Sequence, residues 1–187
     1  MALGSVTACD PEADEDLADD TVRTANFGAN NPFCREFDGE AVYINVLDRP
    51  QATAIYTNPG GEVRHADINT AAALGRTLQE FQWTVQCSCF GDESVSFQSE
   101  AHGTWIRARG QNIGVRAQAG TTLGPPETFI ARPDDGEWSF DSAFDTDQGG
   151  AGLLFALPVL ALGGSVATNA GAFTLGSDRF RVVHVNP

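Results

Sequence analysis

Lysine is absent from all 187 residues. The eleven bases are arginines, set against 25 acids, for a net charge of −14 and a pI near 4.3. A surface so short of positive charge excludes broad neutralisation of phosphates, so no direct nucleic-acid partner is expected. Long apolar runs are missing as well. The longest charge-free stretch is Gln148–Ser177, and its apolar centre, Leu153–Leu162, is ten residues long and contains Pro158. That is too short to cross a bilayer as a helix. One or two buried strands are expected there, with contact to a membrane surface as a further reading. Met1–Ala8 lacks the basic start and apolar core of a signal peptide. Val6-Thr7-Ala8-Cys9 has the form of a lipoprotein cleavage site without a hydrophobic segment before it, and no Asn-x-Ser/Thr sequon occurs.

The motifs of common chemistry are missing too. There is no Walker loop and no dinucleotide fingerprint. Cys87-x-Cys89 has the wrong spacing for a zinc knuckle. His65, His102 and His184 are far apart, and no His-x-His occurs. Gly163-Gly164-Ser165-Val166-Ala167 approaches a nucleophile elbow but ends in Ala and lacks a strand–turn–helix setting. No cofactor is expected, and the chain is expected not to be an enzyme.

What is present is unevenly spread. Residues 1–20 hold seven acids and no base; the other 167 hold eighteen acids and eleven bases, a charge of −7. Residues 1–25, acidic and poor in large apolar side chains, are expected to form a mobile arm, with residues 26–187 as a single domain long enough to bury a core. The Lys-free, Asp-rich composition points to a salt-loving or a high-GC source, since salt screens the self-repulsion of an acidic surface.

Four cysteines are too few for a disulfide-dense small domain. Cys87 and Cys89 share one face of a strand, which disfavours a bond between them. Either can pair with the distant Cys34. Cys9, on the acidic arm, is the candidate for a bond to another chain. Four free thiols is the competing reading.

From about residue 40 the chain reads as short strands between turn residues. Ala41–Leu47 sets Val42, Ile44 and Val46 on one face. Thr53–Thr57, Asn58-Pro59-Gly60-Gly61 and Glu62–Ile68 read as a hairpin. The spacing of Ala71, Leu74, Leu78 and Phe81 predicts a helix over Thr70–Phe81. Gln82–Phe90 alternates with Trp83, Val85, Cys87 and Cys89 on one face. Val95–Ser99, Thr104–Arg109, Ile113–Ala119, Thr128–Ala131, Glu137–Phe144, Leu153–Leu162, Ala172–Leu175 and Phe180–Val185 complete the strands. No repeat of 20–50 residues is visible. The expected fold is all-β: a single jelly-roll sandwich or barrel of about eight to ten strands with one short helix, ahead of an immunoglobulin-like sandwich.

Two residue groups carry candidate chemistry. Asp145-x-Asp147-x-Gly149 opens like a calcium loop, with Asp141 just before it, but Ala156 stands where the bidentate Glu belongs. Asp141, Asp145 and Asp147 are therefore a weak cation-site candidate. Trp105, Arg107, Arg109 and Arg116 fall on two neighbouring strands and form a candidate ligand surface, with Trp105 the expected exposed aromatic.

The Lys-free acidic composition, the length and the inferred single barrel resemble the small major capsid protein of haloarchaeal icosahedral viruses with an internal membrane. The resemblance rests on no motif. It implies upright single jelly rolls in symmetric capsomers, self-association, a second capsid protein as partner, location in the virion and intersubunit disulfides. The function read first is a capsid building block. The alternative is a carbohydrate- or surface-binding β-sandwich module, extracellular or on a cell surface.

Overall fold

In β1 (Ala41–Val46), alternate residues face inward, and Val42, Ile44 and Val46 are buried as the sequence predicts. A computed structural model describes residues 31–47, 53–87, 94–108, 116–118, 124–142, 152–156, 164–169 and 179–185. The proposed arm over residues 1–25 lies outside them. The remaining strands are β2 (Thr53–Thr57), β3 (Val63–Asp67), β4 (Gln82–Cys87), β5 (Ser94–Ser99), β6 (Trp105–Arg107), β7 (Arg116–Gln118), β8 (Phe129–Asp134), β9 (Glu137–Ser142), β10 (Gly152–Ala156), β11 (Gly164–Asn169) and β12 (Phe180–His184). β10 covers the first part of the expected Leu153–Leu162 strand, while residues 157–162 and 172–175 lie outside the described residues.

Six strands close a ring. Going round it, β1 pairs with β4, β4 with β5, β5 with β8, β8 with β9, β9 with β12 and β12 with β1, every pair antiparallel. Three hairpins, β2–β3, β6–β7 and β10–β11, join successive ring strands. Closure removes the open edges that would template aggregation. This ring differs from the expected jelly roll, in which two separate sheets face each other. The all-β expectation holds, and the described residues alone form twelve strands where eight to ten were expected.

The ring has a threefold pattern that the sequence hid. β1, β5 and β9 begin 53 and 43 residues apart and read AVYINV, SVSFQS and EWSFDS. Their second residues, Val42, Val95 and Trp138, pair with Trp83, Phe129 and Phe180 of β4, β8 and β12. Their fourth residues, Ile44, Phe97 and Phe140, are fully buried. Each repeat therefore supplies the same two core positions, and each fully buried large side chain contributes about 1.5–3 kcal/mol of hydrophobic stabilisation.

A six-residue helix, α1 (Pro32–Phe37), plugs the barrel. Pro32 opens it and the Asn31 side chain accepts the Phe33 N–H at 2.9 Å, a cap that satisfies one orphan donor. Phe33 meets the rings of Trp138, Phe140 and Phe97 edge-on at 4.8, 5.5 and 6.3 Å. Cys34 is joined to Cys87 at the end of β4 by a disulfide. Beyond the helix, Cys87 N–H donates to Asp38 Oδ1 at 2.8 Å and Gly39 N–H to the Val85 carbonyl at 2.9 Å.

The helix expected over Thr70–Phe81 is instead three 3-10 turns, Ile68–Thr70, Ala72–Leu74 and Leu78–Phe81. Gly75 sits at φ +66° and ends the middle turn in the left-handed region that favours glycine. Leu78, which an amphipathic helix would bury, is 55% exposed. The hairpin at Asn58 forms as expected: Gly61 N–H donates to the Asn58 carbonyl at 2.9 Å, and the Asn58 amide bridges to Glu62.

Candidate functional site

The outer face of β1, β4 and β5 gathers an aromatic ring, amides, a hydroxyl and a carboxylate. Because strand side chains alternate, Tyr43 points outward between the buried Val42 and Ile44. It is directly paired with Gln82, whose amide Nε2 donates to Tyr43 Oη at 2.9 Å. The Tyr43 ring is half-buried against a second apolar cluster of Ala54, Tyr56, Ala66, Ala71 and Phe81, which fixes it in place. One step along β4, Thr84 Oγ1 donates to Glu100 Oε1. Gln79 Nε2 donates to the Glu100 carbonyl at 3.2 Å, tying the β3–β4 connection to this face.

That connection carries a charged knot next to the strip. Thr77 and Glu80 form a capping box, in which Thr77 N–H donates to Glu80 Oε2 at 2.8 Å. The other oxygen of this buried carboxylate lies 3.4 Å from Arg76 Nη1 and 3.5 Å from His102 Nε2. Arg76 also sits 5.8 Å above the Tyr56 ring, a cation–π contact, and Tyr56 packs on Phe81 at 4.8 Å. Glu80 thus engages both Arg76 and His102, which leaves Tyr43, Gln82, Thr84 and Glu100 as the ligand-facing chemistry of the strip.

The expected site residues are scattered. Trp105 is only 8% exposed, which corrects its reading as a free aromatic. In the three-residue β6, Trp105 and Ile106 are both buried, so alternation gives no guide there. Arg107 is held by Glu127 at 3.4 Å. Arg116 lies on β7, opposite Arg107 in the ladder, and Arg109 lies outside the described residues. Asp141 is buried and ion-paired to Arg132 across β8 and β9, while Asp145 and Asp147 lie outside the described residues. Among the described residues, no group of three His, Cys, Asp or Glu side chains is placed to hold a metal. Of the four cysteines, Cys34 and Cys87 are bonded to each other, and Cys9 and Cys89 lie outside the described residues. His65 is on β3, His102 in the β5–β6 turn and His184 stacked on Phe37 at 5.0 Å, so the three histidines do not converge. Ser165 lies within β11 rather than on a strand-to-helix turn.

Sequence reasoning missed Tyr43, Gln82, Thr84 and Glu100. The signal that finds the first three is the outward half of two alternating strands, read only once β1 and β4 are known to be neighbours; Glu100, in the turn after β5, joins them through Thr84. Among the described residues no helix is long and apolar enough to cross a membrane.

No protein-family model and no curated protein matches the chain. Solved structures do. The BEL β-trefoil superposes with a TM-score of 0.58 at 16% identity, covering 86% of this chain and 100% of that one. The cytolethal distending toxin of Haemophilus ducreyi gives 0.61 at 14% identity, covering 78% and 83%. The Polyporus squamosus lectin, bound to the epitope Neu5Acα2-6Galβ1-4GlcNAc, gives 0.57 at 12% identity, covering 79% of this chain and 50% of the lectin. A Clostridium perfringens endo-β-galactosidase that releases GlcNAcα1-4Gal gives 0.61 at 12% identity, covering 79% of this chain and 33% of the enzyme. These likenesses show the fold alone: a six-strand barrel with three hairpins, as in a β-trefoil. The last one also corrects the expectation that the chain is not an enzyme. The same fold occurs inside a glycosidase, so the missing catalytic motif excludes no enzymatic role.

Proposed function

We propose that the chain is a carbohydrate-binding β-trefoil module acting outside the cell or at a cell surface. The observation that carries this reading is the Tyr43–Gln82 pair. A ring fixed by the packing beneath it stands beside an amide, with the Thr84 hydroxyl and the Glu100 carboxylate next along the face. Sugars are held by stacking of their C–H faces on aromatic rings and by hydrogen bonds to amides and carboxylates. Two further findings support it. The fold is shared with a lectin solved with a bound glycan, and the Cys34–Cys87 disulfide suits an oxidising compartment. The capsid resemblance retains its compositional basis only, and none of the four structures compared above is a capsid protein.

The test is a glycan array with the purified chain and its Tyr43→Ala variant. Binding to a defined set of glycans, lost on substitution with thermal stability retained, is the expected outcome. Absence of binding across the array removes the reading.

A further inference from the structure

The barrel's threefold pattern allows the site to be compared with its own two equivalents. The register fixes the correspondence. Val42–Trp83, Val95–Phe129 and Trp138–Phe180 are matching pairs, so the residues beside them match as well. The counterparts of Tyr43 are Ser96 and Ser139, and those of Gln82 are Thr128 and Arg179.

Neither counterpart repeats the chemistry. In the second repeat Ser96 is fully buried, so the position is covered, and Thr128 spends its hydroxyl on the Gly124 carbonyl at 2.7 Å. In the third repeat Arg179 lies 2.9 Å from Glu137, which also holds Arg181 at 3.2 Å. A serine offers no stacking surface, and an arginine held by a carboxylate is not the uncharged amide that Gln82 sets beside the Tyr43 ring. The β3–β4 connection that supplies Gln79, Glu80 and Arg76 is also the long one. It spans residues 68–81, against 119–128 and 170–179 in the other repeats.

The charge of this site, the one intact set of such groups among the described residues, selects its ligand. Glu100 is its acidic side chain, and the neighbouring Arg76 and His102 face the buried Glu80. The surrounding molecule carries −14. An anionic sugar would meet a carboxylate and a repulsive field, with Arg76 turned to Glu80. Resting on the carbohydrate-binding reading, we infer that the chain binds one uncharged saccharide per molecule, through its first repeat alone. It would then mark or anchor a single glycan end and would not cross-link glycans as a multivalent lectin does.

Titration calorimetry of the full chain tests this with Galβ1-4GlcNAc, GlcNAcα1-4Gal and Neu5Acα2-6Galβ1-4GlcNAc. The expected result is one site per chain for at least one of the two neutral sugars, with the sialylated one about ten-fold weaker or worse. Tyr43→Ala and Gln82→Ala each weaken the neutral sugar about ten-fold or more. Tyr43→Phe keeps the ring and its packing and loses only the hydroxyl, so it weakens binding by a smaller factor in a folded chain. Ser139→Ala leaves affinity and stoichiometry unchanged. Two or three sites per chain, equal or tighter binding of the sialylated sugar, or binding that survives Tyr43→Ala overturns the inference and leaves the carbohydrate reading standing. Binding of none of the three sugars overturns the inference, and absence of binding to every glycan of the array overturns both.

Discussion

Three separate interactions converge on Glu80: the capping box with Thr77, the ion pair with Arg76 and the contact from His102 across the β5–β6 turn. Being buried, it gains more from these than an exposed acid would. Glu80→Ala removes the cap and leaves Arg76 half-buried without its carboxylate. We expect a loss of about 1–3 kcal/mol, read as a shift in the urea midpoint. Glu80→Gln keeps an acceptor for Thr77 N–H and should lose about half as much. Equal stability of both variants with the parent would show the knot to be ornamental. The Thr77-x-x-Glu80 spacing was open to reading in the chain, but it lay within a stretch whose apolar spacing resembled a long helix. Trp105 was misread for a related reason. A three-residue strand has no period to follow, and what decides burial there is the neighbouring layer rather than the local pattern.

At the level of elements, the short helix and its disulfide act together. α1 buries Phe33 and Phe37 in the barrel, and Cys34–Cys87 joins it to β4 across 53 residues of chain. Closing a loop of that length removes about 4 kcal/mol of unfolded-state entropy in the chain-entropy account. The double variant Cys34→Ser, Cys87→Ser should lose a stability of that order under non-reducing conditions. It should also match the parent in the presence of a strong reductant, when both are measured by denaturant unfolding. A difference that persists after reduction would place the effect in packing instead. The ends of α1 were readable as Asn31-Pro32, a cap followed by the residue best suited to a first turn. What concealed it was brevity: six residues carry less than two turns of periodicity, while the longer apolar pattern over 70–81 was broken by Gly75. The strands fared better. Val42, Ile44 and Val46, or Trp83 and Val85, declare their inward face in any strand that is half-covered, and the Asn58-Pro59-Gly60-Gly61 turn leaves the β2–β3 register no second choice.

For the whole molecule, the decisive feature is closure, which no local pattern encodes. Only two inward positions in each of β1, β5 and β9 carry the threefold repeat, filled by Val, Val and Trp or Ile, Phe and Phe, and the unequal spacing of the repeats hides it further. The jelly-roll expectation failed at this point, because strand count and alternation are common to both barrels and strand order is not. The last described strand completes the ring. β12 fills the gap between β1 and β9, matching Val42–Val46 residue for residue with His184–Phe180 and meeting Trp138 through Phe180. Without it, β1 and β9 become bare edges, and the fully buried Phe180 leaves a void beside Phe140, 5.7 Å away. A chain ending at Asp178 should therefore show no cooperative thermal transition. It should bind a hydrophobic dye and aggregate at concentrations where the parent stays dispersed. Arg181→Ala, a change on the same strand at a side chain 59% exposed, should shift stability by no more than about 1 kcal/mol. A truncated chain that still melted cooperatively would mean that five strands suffice and that the ring is not the unit of folding.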